Sequence, residues 1–359
     1  MGEAADSTDA HPDPEPVQVE ITTSRVSDAG ASRFRNVCET LHQAMQLVLI
    51  DRCGLPGFPL GVVLTEDLTA EVQRHRDAVA QDPRPFVAER LGGMVVAKCL
   101  HSQTDGATVV VFDDIFWRDD TDESALASGC TTIAHEMAHC ALHELRGRAD
   151  RGGLSADQTV GEQAAREIVS DALEEYRADG MAGAFLGAMG ERVEDGASHR
   201  LRLHDIHGDE YAEQLLEVLD NEVYPGWRDR VQLYREYVVP LEEMFLGVSR
   251  SAWEAFVLVA HAAAVADSSG KPDPLDEYTA HPAVRIYLRD PWQRIRELAG
   301  EYPLLGTPAE SMELEARALD TGVAAVMRMW KSLGLTFRLQ PSGDTYIHVD
   351  EPQSVGEAS

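Results

Sequence analysis

Apolar residues recur at three- and four-residue intervals from Phe34 onward, which predicts a helix over 34–49. A short β-branched run predicts a strand over 61–64, and a helix over 67–80 follows it, capped by Thr65 or Asp67. Two β-rich runs at 94–100 and 107–112, joined by a Gln-Thr-Asp-Gly turn, predict a hairpin. Beyond the acidic segment 119–122, helical periodicity predicts one long helix over 123–146 and, after a Gly-rich charged loop at 147–155, a second over 159–188. The rest is mostly helical, with helices expected near 209–221, 226–247, 250–267, 283–299 and 308–333. A closing hairpin is expected from 336–339 and 345–349, turned by Pro-Ser-Gly-Asp. No internal repeat is evident.

The order of elements predicts an α+β fold. An α+β domain over 31–190 is followed by a mostly helical region with a C-terminal β-hairpin over 191–350. Residues 1–30 and 351–359 are rich in acidic, Pro, Ser and Thr residues and read as disordered tails.

Charge narrows the function. Sixty-two acidic residues stand against 31 Lys and Arg, a formal net charge of −31. Such a surface repels phosphate backbones and anionic bilayers, so neither a nucleic-acid nor a membrane partner is expected. A local basic patch at 200–202 is the one exception left open. The five cysteines are odd in number, widely spaced and form no CxxC pair, as in a protein with reduced thiols. The apolar run 256–266 is too short to span a bilayer and is interrupted by His261. The N-terminus carries no basic segment followed by an apolar run, and a cytoplasmic location is expected.

The candidate chemistry lies on the first long helix, in His135-Glu136-Met137-Ala138-His139. Residues four apart on a helix share a face, so both imidazoles can bind one ion while Glu136 serves as a base beside it. Two helix-facing histidines can also be plain core residues, but the apolar context (Ile133, Ala134, Met137, Ala138, Ala141, Leu142) suits a site inside a domain. Catalytic zinc needs a third protein ligand. His143 cannot converge with both histidines from one straight helix, and it reads as a surface or supporting residue. The second long helix offers two Glu-x-x-x-Asp pairs, Glu167/Asp171 and Glu175/Asp179. Glu175 is the favoured ligand, with Asp179 orienting a histidine, and Glu167 is the alternative. Cys140, directly after His139, reads as a buried thiol, with a site of oxidation as the alternative.

Glu-Tyr-Arg-Ala-Asp (175–179) after a helical HExxH resembles the gluzincin metallopeptidases, whose third ligand lies in a Glu-x-x-Ala-Asp or Glu-x-x-Ala-Asn motif. The ImmA/IrrE-like group fits better than the membrane-embedded HtpX and CAAX-prenyl protease group. The resemblance covers residues 90–190 and implies a zincin-like domain with a small β-sheet and an HExxH active-site helix. It implies a zinc metallopeptidase with His135, His139 and Glu175 as ligands of Zn2+ and Glu136 as general base. A peptide or protein substrate would lie along an edge strand, for which 107–112 is the candidate. Tyr176, His204, His207 and Tyr211 are the candidates for stabilising an oxyanion, with no choice among them. Two other expectations stand beside this one: a regulatory zinc-binding protein that docks a partner through its helical half, and a helical scaffold in which the motif is accidental.

Overall fold

The computed structural model describes residues 16–55, 58–78, 86, 89–90, 93–101, 108–146, 157–193, 203, 207 and 210–352. The first element is a strand, β1 (Val17–Ile21), in a segment whose sequence reads as part of a tail. Its Val-Gln-Val-Glu-Ile alternation half-buries Val17, Val19 and Ile21 against the core, the period-2 pattern of a sheet edge. Helix α1 (Asp28–Val48) starts on the Ser27 side chain, which accepts from the Gly30 amide, and buries Phe34, Cys38, Leu41 and Met45 on one stripe. It starts six residues earlier than apolar periodicity alone predicts.

The strand β2 (Leu60–Thr65), helix α2 (Leu68–Ala78) and the strands β5 (Ala97–His101) and β6 (Thr108–Asp113) follow. Between α2 and β5 lie two short paired strands, β3 (Glu89–Arg90) and β4 (Gly93–Met94). The main sheet has the order β1-β2-β6-β5. The strands β1, β2 and β6 are parallel and β5 runs antiparallel to β6, pairing Cys99 with Val110. The expected pairing of the two β-rich runs is therefore present; their turn, 102–107, lies outside the described residues. Interior position explains the almost continuous burial of β6: Val110 and Phe112 face α1 and the next helix, whereas Val111 packs with Val63, Leu68 and Val72 on the α2 side.

Helix α3 (Glu123–Arg146) matches the expected span, and the loop read at 147–155 lies outside the described residues. Helix α4 (Val160–Val193) is the long second helix. Then come α5 (Glu210–Val218), α6 (Gly226–Arg235), α7 (Leu241–Ser269), α8 (Arg289–Glu301), α9 (Pro308–Ser332) and the hairpin β7 (Leu335–Leu339) with β8 (Thr345–Val349). The break expected between 247 and 250 lies instead before Pro240, which opens α7, and Val248 and Ser251 are interior to one helix of 29 residues. Proline removes a helical donor and stops the preceding segment, so the punctuation at 240 prevails over the periodicity.

Two cores share α4. Its first half (Ala165, Ile168, Val169, Ala172, Leu173) packs with the C-terminal helices around Trp227, Phe256, Trp292 and Trp330. Its second half (Ala178, Met181, Ala182, Phe185) joins α1, α3 and the sheet. Helix α7 is apolar on nearly every side because it runs through the interior, with Val265 reaching the sheet-side core. No helix among the described residues is long and apolar enough to cross a membrane.

Candidate metal centre

Helix α3 presents His135 and His139 toward α4, which crosses it with Glu174, Glu175 and Asp179 facing back. Alanine at Ala178 and Ala182, both buried in the core shared with α3, leaves room for that approach, whereas Gly180 faces Leu304. The Nε2 atoms of His135 and His139 lie 3.0 Å apart, and each is 3.2 Å from Glu175 Oε2. Three lone-pair atoms in a triangle repel one another unless a proton or a metal cation lies among them. A tetrahedral ion with ligands at about 2.0–2.1 Å has ligand–ligand edges of about 3.3 Å, so the donor set fits zinc in element, number and spacing. Among the described residues this trio is the group that could hold a metal ion. Glu167, the alternative ligand, is exposed and outside it.

The outer nitrogens are fixed as well. His135 Nδ1 is 2.7 Å from Asp179 Oδ1, and His139 Nδ1 is 2.9 Å from Glu174 Oε1. A carboxylate at Nδ1 keeps the proton there and turns the Nε2 lone pair inward. Asp179 thus takes the orienting position read from its spacing. Glu174 was not singled out, although its neighbour was. Adjacent helical residues diverge by about 100°, so Glu174 and Glu175 grip opposite nitrogens of the same ring. Glu174 is in turn held by Arg146 at 2.8 Å, and Arg146 pairs with Glu315 of α9 at 3.1 Å.

The larger omission is His261. It interrupts the apolar run of α7, and its Nδ1 is 2.7 Å from the second oxygen of Asp179, with Nε2 3.9 Å from Glu175 Oε2. One carboxylate therefore orients two imidazoles from two helices. Tyr211 of α5 stacks on His261 with centroids 5.4 Å apart, and His207 lies 5.1 Å from Tyr211. Of the four oxyanion candidates, Tyr211 and His207 are thus beside the centre. Tyr176 faces away, donating its hydroxyl to Asp267 at 2.6 Å, and His204 lies outside the described residues. The signal available for His261 was a lone histidine in an otherwise apolar helix, where a ring needs a buried partner.

Electrostatics follow from burial of an acidic group among imidazoles. Burial pushes Glu175 up, but His139 and His135 outweigh it and hold this carboxylate well below its usual range. Asp179 is likewise lowered, burial being overcome by His261 and His135. Burial alone would lower His139, yet Glu175 and Glu174 raise it to about 10. Without a metal, protons on the imidazoles balance the carboxylates.

Glu136 is 9% exposed and, among the described residues, its carboxylate has no hydrogen-bond or ion-pair partner. It follows His135 in the chain, one residue from a member of the trio. The trio is open to the outside: His135, His139 and Glu175 keep 16%, 12% and 17% of their side-chain surface. The strand beside α3 is β5, and it forms the edge of the sheet. This corrects the edge expected at 107–112, because β6 is paired on both sides. No family model matches this chain, nor does any curated protein or solved structure.

Proposed function

We propose that this protein is a zinc-dependent hydrolase of peptide bonds, a zincin-like metallopeptidase acting on a peptide or protein substrate. The observation that carries this reading is the triangle of His135 Nε2, His139 Nε2 and Glu175 Oε2 at 3.0–3.2 Å, with Glu136 next to His135 in the chain. Zinc bound by the trio would polarise a carbonyl and make its water acidic enough to be deprotonated near neutral pH. Glu136 would serve as the general base that holds the proton and returns it to the departing amine. Asp179 and Glu174 hold the ligand rings in the tautomer the metal requires. His261, braced by Asp179 and stacked on Tyr211, is the group we assign to stabilising the developing negative oxygen. The antiparallel edge β5 offers backbone groups with which an extended peptide pairs, giving binding that tolerates many side chains.

The test is Glu136→Gln in the zinc-loaded protein, read on a fluorogenic peptide library. Zinc content stays at the wild-type level and turnover falls about 100-fold or more, the scale of a lost general base. A variant with unchanged turnover would remove Glu136 from the chemistry.

A second reading, a regulatory protein that keeps the zinc site and docks a partner, has one observation in its favour. At the corner between α6 and α7, Tyr237 is 95% exposed with a left-handed φ of 61°, next to Val238 at 63%. The φ is that of a helix C-cap, the Val238 amide donating to the Leu233 carbonyl and the Tyr237 amide to that of Tyr234, both at 2.9 Å, so it is the exposure of two adjacent large side chains that favours a partner. Partner binding that survives Glu136→Gln but is lost in Tyr237→Ala would support it.

A further inference from the structure

The contact between β5 and α3 carries chemistry that the hydrolytic reading does not use. Cys99 and His101 are two apart on a strand and so share a face. Cys140 and His143 are three apart on a helix and share one too. The two faces meet. Cys99 Sγ lies 3.2 Å from Cys140 Sγ and 3.4 Å from His101 Nε2. His101 Nδ1 is 3.0 Å from Thr108 Oγ1, and the His143 ring stacks on His101 with centroids 3.6 Å apart and planes at 11°. His143, which the sequence left as a surface or supporting residue, belongs to this contact and not to the metal trio.

Two thiolates on one tetrahedral ion sit about 3.8 Å apart, given metal–sulfur distances of about 2.3 Å, so the 3.2 Å separation is too short for a shared metal. It is a short step from a covalent bond of about 2.04 Å. All five cysteines are free, and no other pair brings its sulfurs into contact.

We propose that Cys99 and Cys140 are a modification site, a reversible disulfide formed by a hydroperoxide, which ties the edge strand to the metal-site helix. Burial, and then the contact with Cys140, hold the Cys99 thiol well above its ordinary pKa, so its proton has to leave to a group in contact, and His101 Nε2 is that group. The Cys99 sulfur attacks the terminal oxygen of the hydroperoxide. The O–O bond breaks, the leaving alkoxide takes the proton from His101, and Cys99 becomes a sulfenic acid. The Cys140 sulfur then attacks the Cys99 sulfur and expels hydroxide, which departs as water with the Cys140 proton. Two thiols have lost two electrons and two protons, and the hydroperoxide has become an alcohol and water. Cys99 is the less buried residue of the pair and meets the oxidant first, and the buried Cys140 resolves it. The bond closes a loop of 41 residues and fixes β5 against the turn of α3 that follows His139.

The experiment treats the full chain with hydrogen peroxide, blocks remaining thiols under denaturing conditions and maps the peptides by mass spectrometry. Two of the five thiols are lost, a single cross-linked pair joins Cys99 to Cys140, and dithiothreitol restores both. Cys99→Ser and Cys140→Ser each abolish the cross-link, while Cys130→Ser keeps it. Amide exchange along β5 slows about tenfold or more on oxidation, because the cross-link restricts local opening. Overturning results are both thiols still alkylated after peroxide, a different pairing, or oxidation of Cys99 to sulfinic acid without a cross-link. The covalent readout needs no peptide turnover, so it fails or holds separately from the hydrolytic reading.

Discussion

Asp179 decides more at this centre than its place outside the His135, His139 and Glu175 trio suggests. Each of its oxygens receives an imidazole Nδ1 at 2.7 Å, from His135 on α3 and His261 on α7. Glu174 does the same for His139 from one position before the ligand Glu175. Asp179→Asn and Glu174→Gln therefore keep the three ligands but release the rings, and zinc affinity falls about 10–100-fold in each, measured by competition with a chelating dye. An unchanged affinity in both would show that packing alone holds the rings. The sequence made part of this readable. Spacing of four places His135 and His139 on one face whatever surrounds them, and the Glu175/Asp179 pair uses the same geometry. Glu174 was hidden by being one of two adjacent acids, which only the helix crossing can assign. His261 is 82 residues from Asp179, a proximity no local pattern encodes.

At the scale of elements, small residues set how closely the helices approach. A Cβ on Gly322 of α9 would lie 2.8 Å and 2.9 Å from both methyls of Val169 on α4, whose χ1 is stiff. A Cβ on Gly300 of α8 meets nothing within 4 Å. Overpacking costs about 1–3 kcal/mol, against about 0.5–1 kcal/mol that alanine contributes to a helix. Urea denaturation then separates the two. Gly322→Ala lowers the midpoint by an amount worth about 1 kcal/mol, and Gly300→Ala raises it by about half as much. Equal shifts would mean α4 and α9 are not held in the register described. Helices such as α1 and α3 were legible from periodicity, whereas α7, apolar on nearly every side, gave no stripe to mark its start at Leu241. Strand order was not legible either. Whether β6 or β5 forms the edge depends on β1 and β2 pairing across long separations. The alternation in β1 was present in the sequence but obscured by the acidic, Pro-rich residues before it.

Across the whole molecule, the site joins parts that the sequence reads as separate regions. His135, His139 and Glu136 come from a helix packed on the sheet, Glu175 from the helix shared by both cores, and His261 from the C-terminal helices. Metal binding should therefore stabilise both cores together, since it favours the folded state over an unfolded chain without the trio. The net charge of −31 adds to this, because a divalent cation relieves acidic repulsion at its centre. The most direct measurement is zinc per chain by elemental analysis on wild type, His139→Ala and Glu175→Ala. It is paired with melting curves before and after chelation. The account predicts one zinc in wild type, loss of that zinc in both variants, and a lower melting temperature for wild type once the metal is removed. Wild-type protein that takes up no zinc after reconstitution and melts unchanged with chelator would contradict it, leaving His135, His139 and Glu175 as a buried ion-pair cluster in a helical scaffold.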